Sequence, residues 1–177
     1  MNSLVIQLIG AIGYTILAFS YFYKEKKDIV FIQIFSMIAL SIHFYLLNGI
    51  TGAICNIINS IALIIIYFFE KYNLKNKKLL ILITIPLLIL ISLFTYENLF
   101  SILPIIAVSI VLISFLLSNE NVIRIVGVIS AICWLIYAII YKSYVAIFFE
   151  IIIIISTIIA FLKNKNNKSC NKQDMIK

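Results

Sequence analysis

The chain has 177 residues, 64% of them hydrophobic and 12% charged, with a mean hydropathy of +1.16. A soluble domain of this size has too little interior to hide that much apolar surface, so the composition excludes a soluble fold and requires an integral membrane protein. The net charge of +7 sits in loops and tail rather than along one helix face, which orients a membrane protein and argues against a nucleic-acid partner.

A helix needs roughly 20 apolar residues to cross the hydrocarbon core. Seven such spans are expected in chain order, over 4–23, 29–47, 50–69, 79–95, 99–117, 122–141 and 143–162. The first is a retained span, not a cleaved signal: it has no basic leader, and Lys24-Glu25-Lys26-Lys27-Asp28 follows it directly. Only Asn48-Gly49 joins the second and third spans, and only Lys142-Ser143 joins the sixth and seventh, so each pair must form a tight antiparallel hairpin. The fourth span is short and contains Pro86. From Lys163 the chain becomes rich in Asn and Lys, the composition of a disordered tail.

With the N-terminus outside, only Lys142 among the 14 Lys and Arg falls on the outer side. That bias predicts a multi-pass membrane protein with the N-terminus outside and the C-terminus cytoplasmic.

A gapless shift of 94 residues lays the first three spans and both of their loops on the last three. Ser20 falls on Ser114, Ser36 on Ser130 and Asn56 on Glu150. The expected architecture is therefore all-α: a three-helix repeat (1–71), a linker helix (72–97), a second, parallel three-helix repeat (98–163) and the tail (164–177). In transporters built this way, sites lie near the bilayer midplane at the repeat interface.

Glu150 is the most informative residue. No other charge occurs between Lys142 and Lys163. A carboxylate deep in the bilayer costs about 2.5 kcal/mol or more, so it must face protein or water. At 1.5 Å per residue from Ser143 it lies roughly 11 Å in, and Asn56 lies at a similar depth on the third span. His43 and Tyr137 descend from the same side on the second and sixth spans, and Trp134 shares the face of Tyr137. The expected pairings are within hairpins, His43 with Asn56 and Tyr137 with Glu150. Further hydrogen-bonding groups, Gln33, Ser36, Asn59 and Ser60, fall on the same inward faces, whereas Tyr141 reads as a residue of the outer aromatic belt. On the first and fifth spans, Gly10 matches Pro104, and both loosen a helix at the same point of each repeat, as a hinge would.

The segment Trp134-Leu135-Ile136-Tyr137, followed by Ser143-Tyr144-Val145 through Glu150, resembles the SWEET and SemiSWEET sugar transporters. The resemblance implies a three-one-three build, with Trp134 as the substrate-stacking tryptophan and Asn56 and Glu150 in the places of an asparagine pair. The first repeat, from Gln33-Ile34-Phe35-Ser36-Met37 through His43 to Asn56, is similar to the YgjV-like bacterial inner-membrane proteins, a likeness that covers most of the chain. The chain departs from the SWEET pattern in having no Pro-Gln dipeptide, Leu40 at the first tryptophan position and Glu150 for asparagine.

The expected function is a carrier or facilitator for a small polar solute, with Asn56, Glu150, Trp134, Tyr137 and His43 lining the site and Glu150 holding a cationic group or a proton. A non-transporting partner-binding or assembly protein is the competing expectation. An enzyme is not expected: with one His, no HExxH and no GxSxG, the parts of a metal hydrolase or serine triad are missing, and no cofactor or metal is called for.

Overall fold

The computed structural model describes residues 3–20, 22–23, 25–72, 84, 86–88, 90, 94–96, 98–114 and 120–174. Among them there is no strand. The α-helices are α1 (Ser3–Ser20), α2 (Lys26–Leu46), α3 (Ile50–Lys71), α4 (Ile102–Ser114), α5 (Glu120–Ile140) and α6 (Tyr144–Asp174), with a 3-10 turn (Leu99–Ser101) leading into α4. The expected fourth span lies largely outside the described residues, although Thr84, Pro86–Leu88, Leu90 and Phe94 are helical. Helix α6 continues to Asp174, well into the segment whose composition suggested a tail.

Among the described residues, three helices are long and apolar enough to cross a membrane: Ser3–Ser20, Lys27–Leu46 and Ile50–Lys71. The apolar stretches Leu99–Ile113, Ile125–Ile140 and Tyr144–Ile159 are shorter. The full set of seven spans is therefore matched clearly in its first three members.

The chain is turned inside out relative to a soluble protein. Phe19, Phe31, Ile57, Ile61, Phe148 and Ile155 are exposed, whereas Ser36, His43, Thr51, Asn56 and Glu150 are buried. Helix α3 illustrates the cause. Thr51, Gly52, Asn56 and Ser60 recur at helical spacing on one buried face, and Ile57, Ile61, Ile64 and Phe68 cover the other. In hydrocarbon the polar stripe seeks partners and the isoleucines do not.

Helix α2 packs against α1 and α3, and α5 against α4 and α6; α1 also meets α6, and α3 meets α4. Several single hydrogen bonds recur at the 94-residue spacing. Helices α2 and α5 each have 21 residues and begin 94 residues apart. Each ends on a residue in the left-handed region, Asn48 (φ 62°) and Lys142 (φ 53°), again 94 apart. The Gly49 N–H donates to Phe44 O and the Ser143 N–H to Ala138 O, both at 2.9 Å. The Asn48 N–H reaches Tyr45 O at 3.0 Å, and the Lys142 N–H reaches Ile139 O at 3.2 Å. These are the two bonds of a Schellman cap, which satisfy the last carbonyls of a helix and reverse the chain. Asn tolerates the left-handed conformation; Lys142 adopts it because the same cap demands it. A third matched pair links neighbouring helices. Ser36 Oγ donates to Gly13 O at 2.8 Å, and Ser130 Oγ donates to Ala107 O at 3.4 Å.

Candidate functional site

Both hairpin turns lie at one end of the molecule, where they are tied across the repeats. The first turn of any helix leaves backbone N–H groups without helical partners. In α6, Gln7 of α1 supplies Oε1 to the Val145 N–H at 3.2 Å, and its Nε2 donates to Lys142 O at 3.0 Å. Ser143 Oγ accepts the Ala146 N–H at 3.3 Å, as a helix-capping serine does. In α3, the N–H of Gly52, 94 residues before Ala146, is taken instead by the hydroxyl of Tyr137 at 2.9 Å.

His43 occupies the matching place on α2. Its Nδ1 lies 2.8 Å from Ile6 O and its Nε2 lies 2.6 Å from Ser143 Oγ. A carbonyl oxygen only accepts, so Nδ1 carries the proton and, in the neutral ring, Nε2 accepts from the serine. Thus His43 reaches the start of α6, and Tyr137 reaches the start of α3. The rings cross from one repeat to the other and do not pair within hairpins with Asn56 and Glu150. Glycines make room for the crossing: a Cβ on Gly10 would lie 2.7 Å from His43 Cε1, and one on Gly52 would overlap the Tyr137 ring.

Glu150 finds a partner that the sequence reading passed over. The hydroxyl of Tyr14, on α1, donates to Glu150 Oε1 at 2.9 Å, and the Tyr14 ring stacks on Phe149 with centroids 4.9 Å apart. Both residues are buried. Nothing singles out Tyr14 among ten tyrosines except its spacing, one helical turn from Gly10 and therefore on the small-residue face of α1. Asn56 Nδ2 donates to Gly52 O at 3.1 Å within its own helix.

Below the tied end lies a cavity of about 500 Å³. Asn56, Trp134 and Glu150 line it, together with Tyr14, Gln33 and Asn59. At the hairpin end it is capped by Phe44, with the fully buried His43 and Tyr137 above; at the other end it reaches Ile29 and Gln33, near the start of α2, which are half-buried. Trp134 meets Tyr137 edge-on at 6.0 Å and Phe44 at 5.5 Å. Of the five side chains expected to line the site, three are therefore on the cavity wall, and His43 and Tyr137 belong to its closure. Tyr141 packs on Tyr137 at 4.5 Å and accepts from Asn98 Nδ2 at 3.3 Å. Gly10 lies within an unbroken α1, and the buried Pro104 lies in the first turn of α4, where its missing N–H breaks no helical bond.

Apolar helices with lipid-compatible exteriors, a polar interior and a cavity between them define an integral helical membrane protein. The chain belongs to the Imp-YgjV family, described as bacterial inner membrane protein, whose family model matches residues 4–168. No curated protein and no solved structure matches it.

Proposed function

We propose that the protein carries a small polar solute across the bacterial inner membrane by exposing its central cavity alternately to either side. The observation that carries this reading is the cavity itself, which has Asn56, Trp134 and Glu150 on its wall and crossed rings closing one end. A scaffold that only assembles with partners needs no such space, and a buried carboxylate directed into it would be a standing cost.

The Lys and Arg distribution supports an orientation with the hairpin end outside, so that the cavity reaches toward the cytoplasm. In this reading His43 and Tyr137 form the outer closure. Gly10, against which the His43 ring rests, and Pro104 at the foot of α4 are the points about which the repeats rock. Glu150 carries a cationic group or a proton, and no catalytic step is involved.

The test is uptake into liposomes containing the purified protein from a broad metabolite mixture, with wild type beside Glu150→Gln. Expected is protein-dependent accumulation of at least one solute that the variant abolishes while still inserting. Protein-free liposomes accumulating the same solutes to the same extent would end the carrier reading.

A further inference from the structure

The hydrogen-bonding character of the cavity wall can be worked out, because each amide on it has only one permitted orientation. Asn56 faces the carbonyl oxygen of Gly52, which only accepts, so its nitrogen end must point there. Gln33 lies 3.4 Å from Ser20 Oγ, whose proton is committed to Leu17 O at 2.6 Å; the nitrogen end of Gln33 must therefore face the serine. Asn59 lies 3.3 Å from the sulfur of Met37, again an acceptor alone. Ser130 spends its proton on Ala107 O.

Each of these groups spends at least one donor on the protein. The amide oxygens of Gln33, Asn56 and Asn59 have no partner among the described residues, nor does Oε2 of Glu150. No buried side-chain nitrogen or oxygen among the described residues lacks a partner, so these oxygens are open to the cavity. The donors left on the wall are the indole N–H of Trp134 and the second N–H of each amide. Among the described residues, Glu150 is the only charged one lining the cavity, and Tyr14 is the only other titratable one. The aromatic residues Tyr14, Phe44 and Trp134 complete the wall. Their faces carry negative potential and favour a cation over an anion.

We infer that the solute is a small organic cation, a protonated amine on a short apolar body. An ammonium group brings donors and no acceptor, which suits three amide oxygens and one carboxylate, and it neutralises Glu150. The apolar body fits the remainder of the wall, formed by Leu17, Val30, Leu40 and Leu63 among others. The transport of this cation rests on the carrier reading above; its binding does not.

The full-length protein in nanodiscs tests the inference directly, because its single tryptophan is on the cavity wall. Four probes of equal carbon number are titrated while Trp134 fluorescence is followed: butylammonium, butan-1-ol, butyrate and erythritol. Expected is a saturable change with butylammonium alone, weakened at least about tenfold by Glu150→Gln and retained in part by Glu150→Asp. Saturation by butan-1-ol or erythritol but not by butylammonium would overturn the cation assignment and leave a carrier for neutral solutes. No response to any of the four would also overturn it. The wild-type comparison decides the matter even should Glu150→Gln fail to fold. Uptake of radiolabelled butylammonium into liposomes then separates the two claims: saturable binding without uptake keeps the cation site and removes the carrier.

Discussion

Gly52 and Gly127 make opposite predictions for the same substitution. Both lie inside helices, where replacing glycine by alanine removes backbone freedom from the unfolded chain and stabilises by up to about 1 kcal/mol. At Gly127 a Cβ would meet nothing within 4 Å, so the gain should be realised. At Gly52 the Cβ would overlap the ring of Tyr137, which is fully buried between Trp134, Phe44 and Tyr141 and cannot swing away. Overpacking of this kind costs about 1–3 kcal/mol. Displacing the ring also breaks the bond from the Gly52 N–H to the Tyr137 hydroxyl, worth about 0.5–1.5 kcal/mol. Net of the alanine gain, Gly52→Ala should destabilise by about 1–3 kcal/mol. The assay is thermal unfolding in detergent, followed by Trp134 fluorescence, with both variants beside wild type. Expected is a Tm below wild type for Gly52→Ala and at or above it for Gly127→Ala. A Gly52→Ala protein as stable as wild type would refute the packing of Tyr137 on α3, and with it the crossed closure of the hairpin end.

Two further outcomes follow from the matched bonds. Ser36→Ala should cost more stability than Ser130→Ala, by about 0.5–1.5 kcal/mol, because the first hydroxyl reaches its carbonyl at 2.8 Å and the second only at 3.4 Å; equal Tm losses would contradict this ranking. His43→Ala leaves Ile6 O and Ser143 Oγ without their partner and should loosen the hairpin end. In an Asn56→Cys background, that change should speed labelling by a membrane-impermeant thiol reagent from the hairpin side, whereas unchanged labelling would show that His43 does not close the cavity.

Much of the organisation is legible in the chain because its causes are local. Hydropathy marks the helices, two-residue loops force hairpins, and helical spacing puts Thr51, Asn56 and Ser60 on one face. The 94-residue shift survives into the backbone caps because a Schellman turn is made by neighbouring residues, so that Asn48 and Lys142 reproduce it independently. Glu150 announces itself because an isolated acid among isoleucines has few places to go.

The pairings were not legible in the same way. His43 binds Ser143 and Tyr137 binds Gly52 because a long side chain from the second helix of each repeat reaches the start of the third helix of the other, and Tyr14 meets Glu150 where α1 packs on α6. Residues 85 or more apart in sequence become neighbours through the crossing angles and rotations of whole helices, which periodicity leaves undetermined. The amino-acid sequence by itself settled that this is a helical membrane protein and which helix faces turn inward. Only tertiary packing decided which polar group answers which, because a helix face names a direction and a hydrogen bond needs a partner at its end.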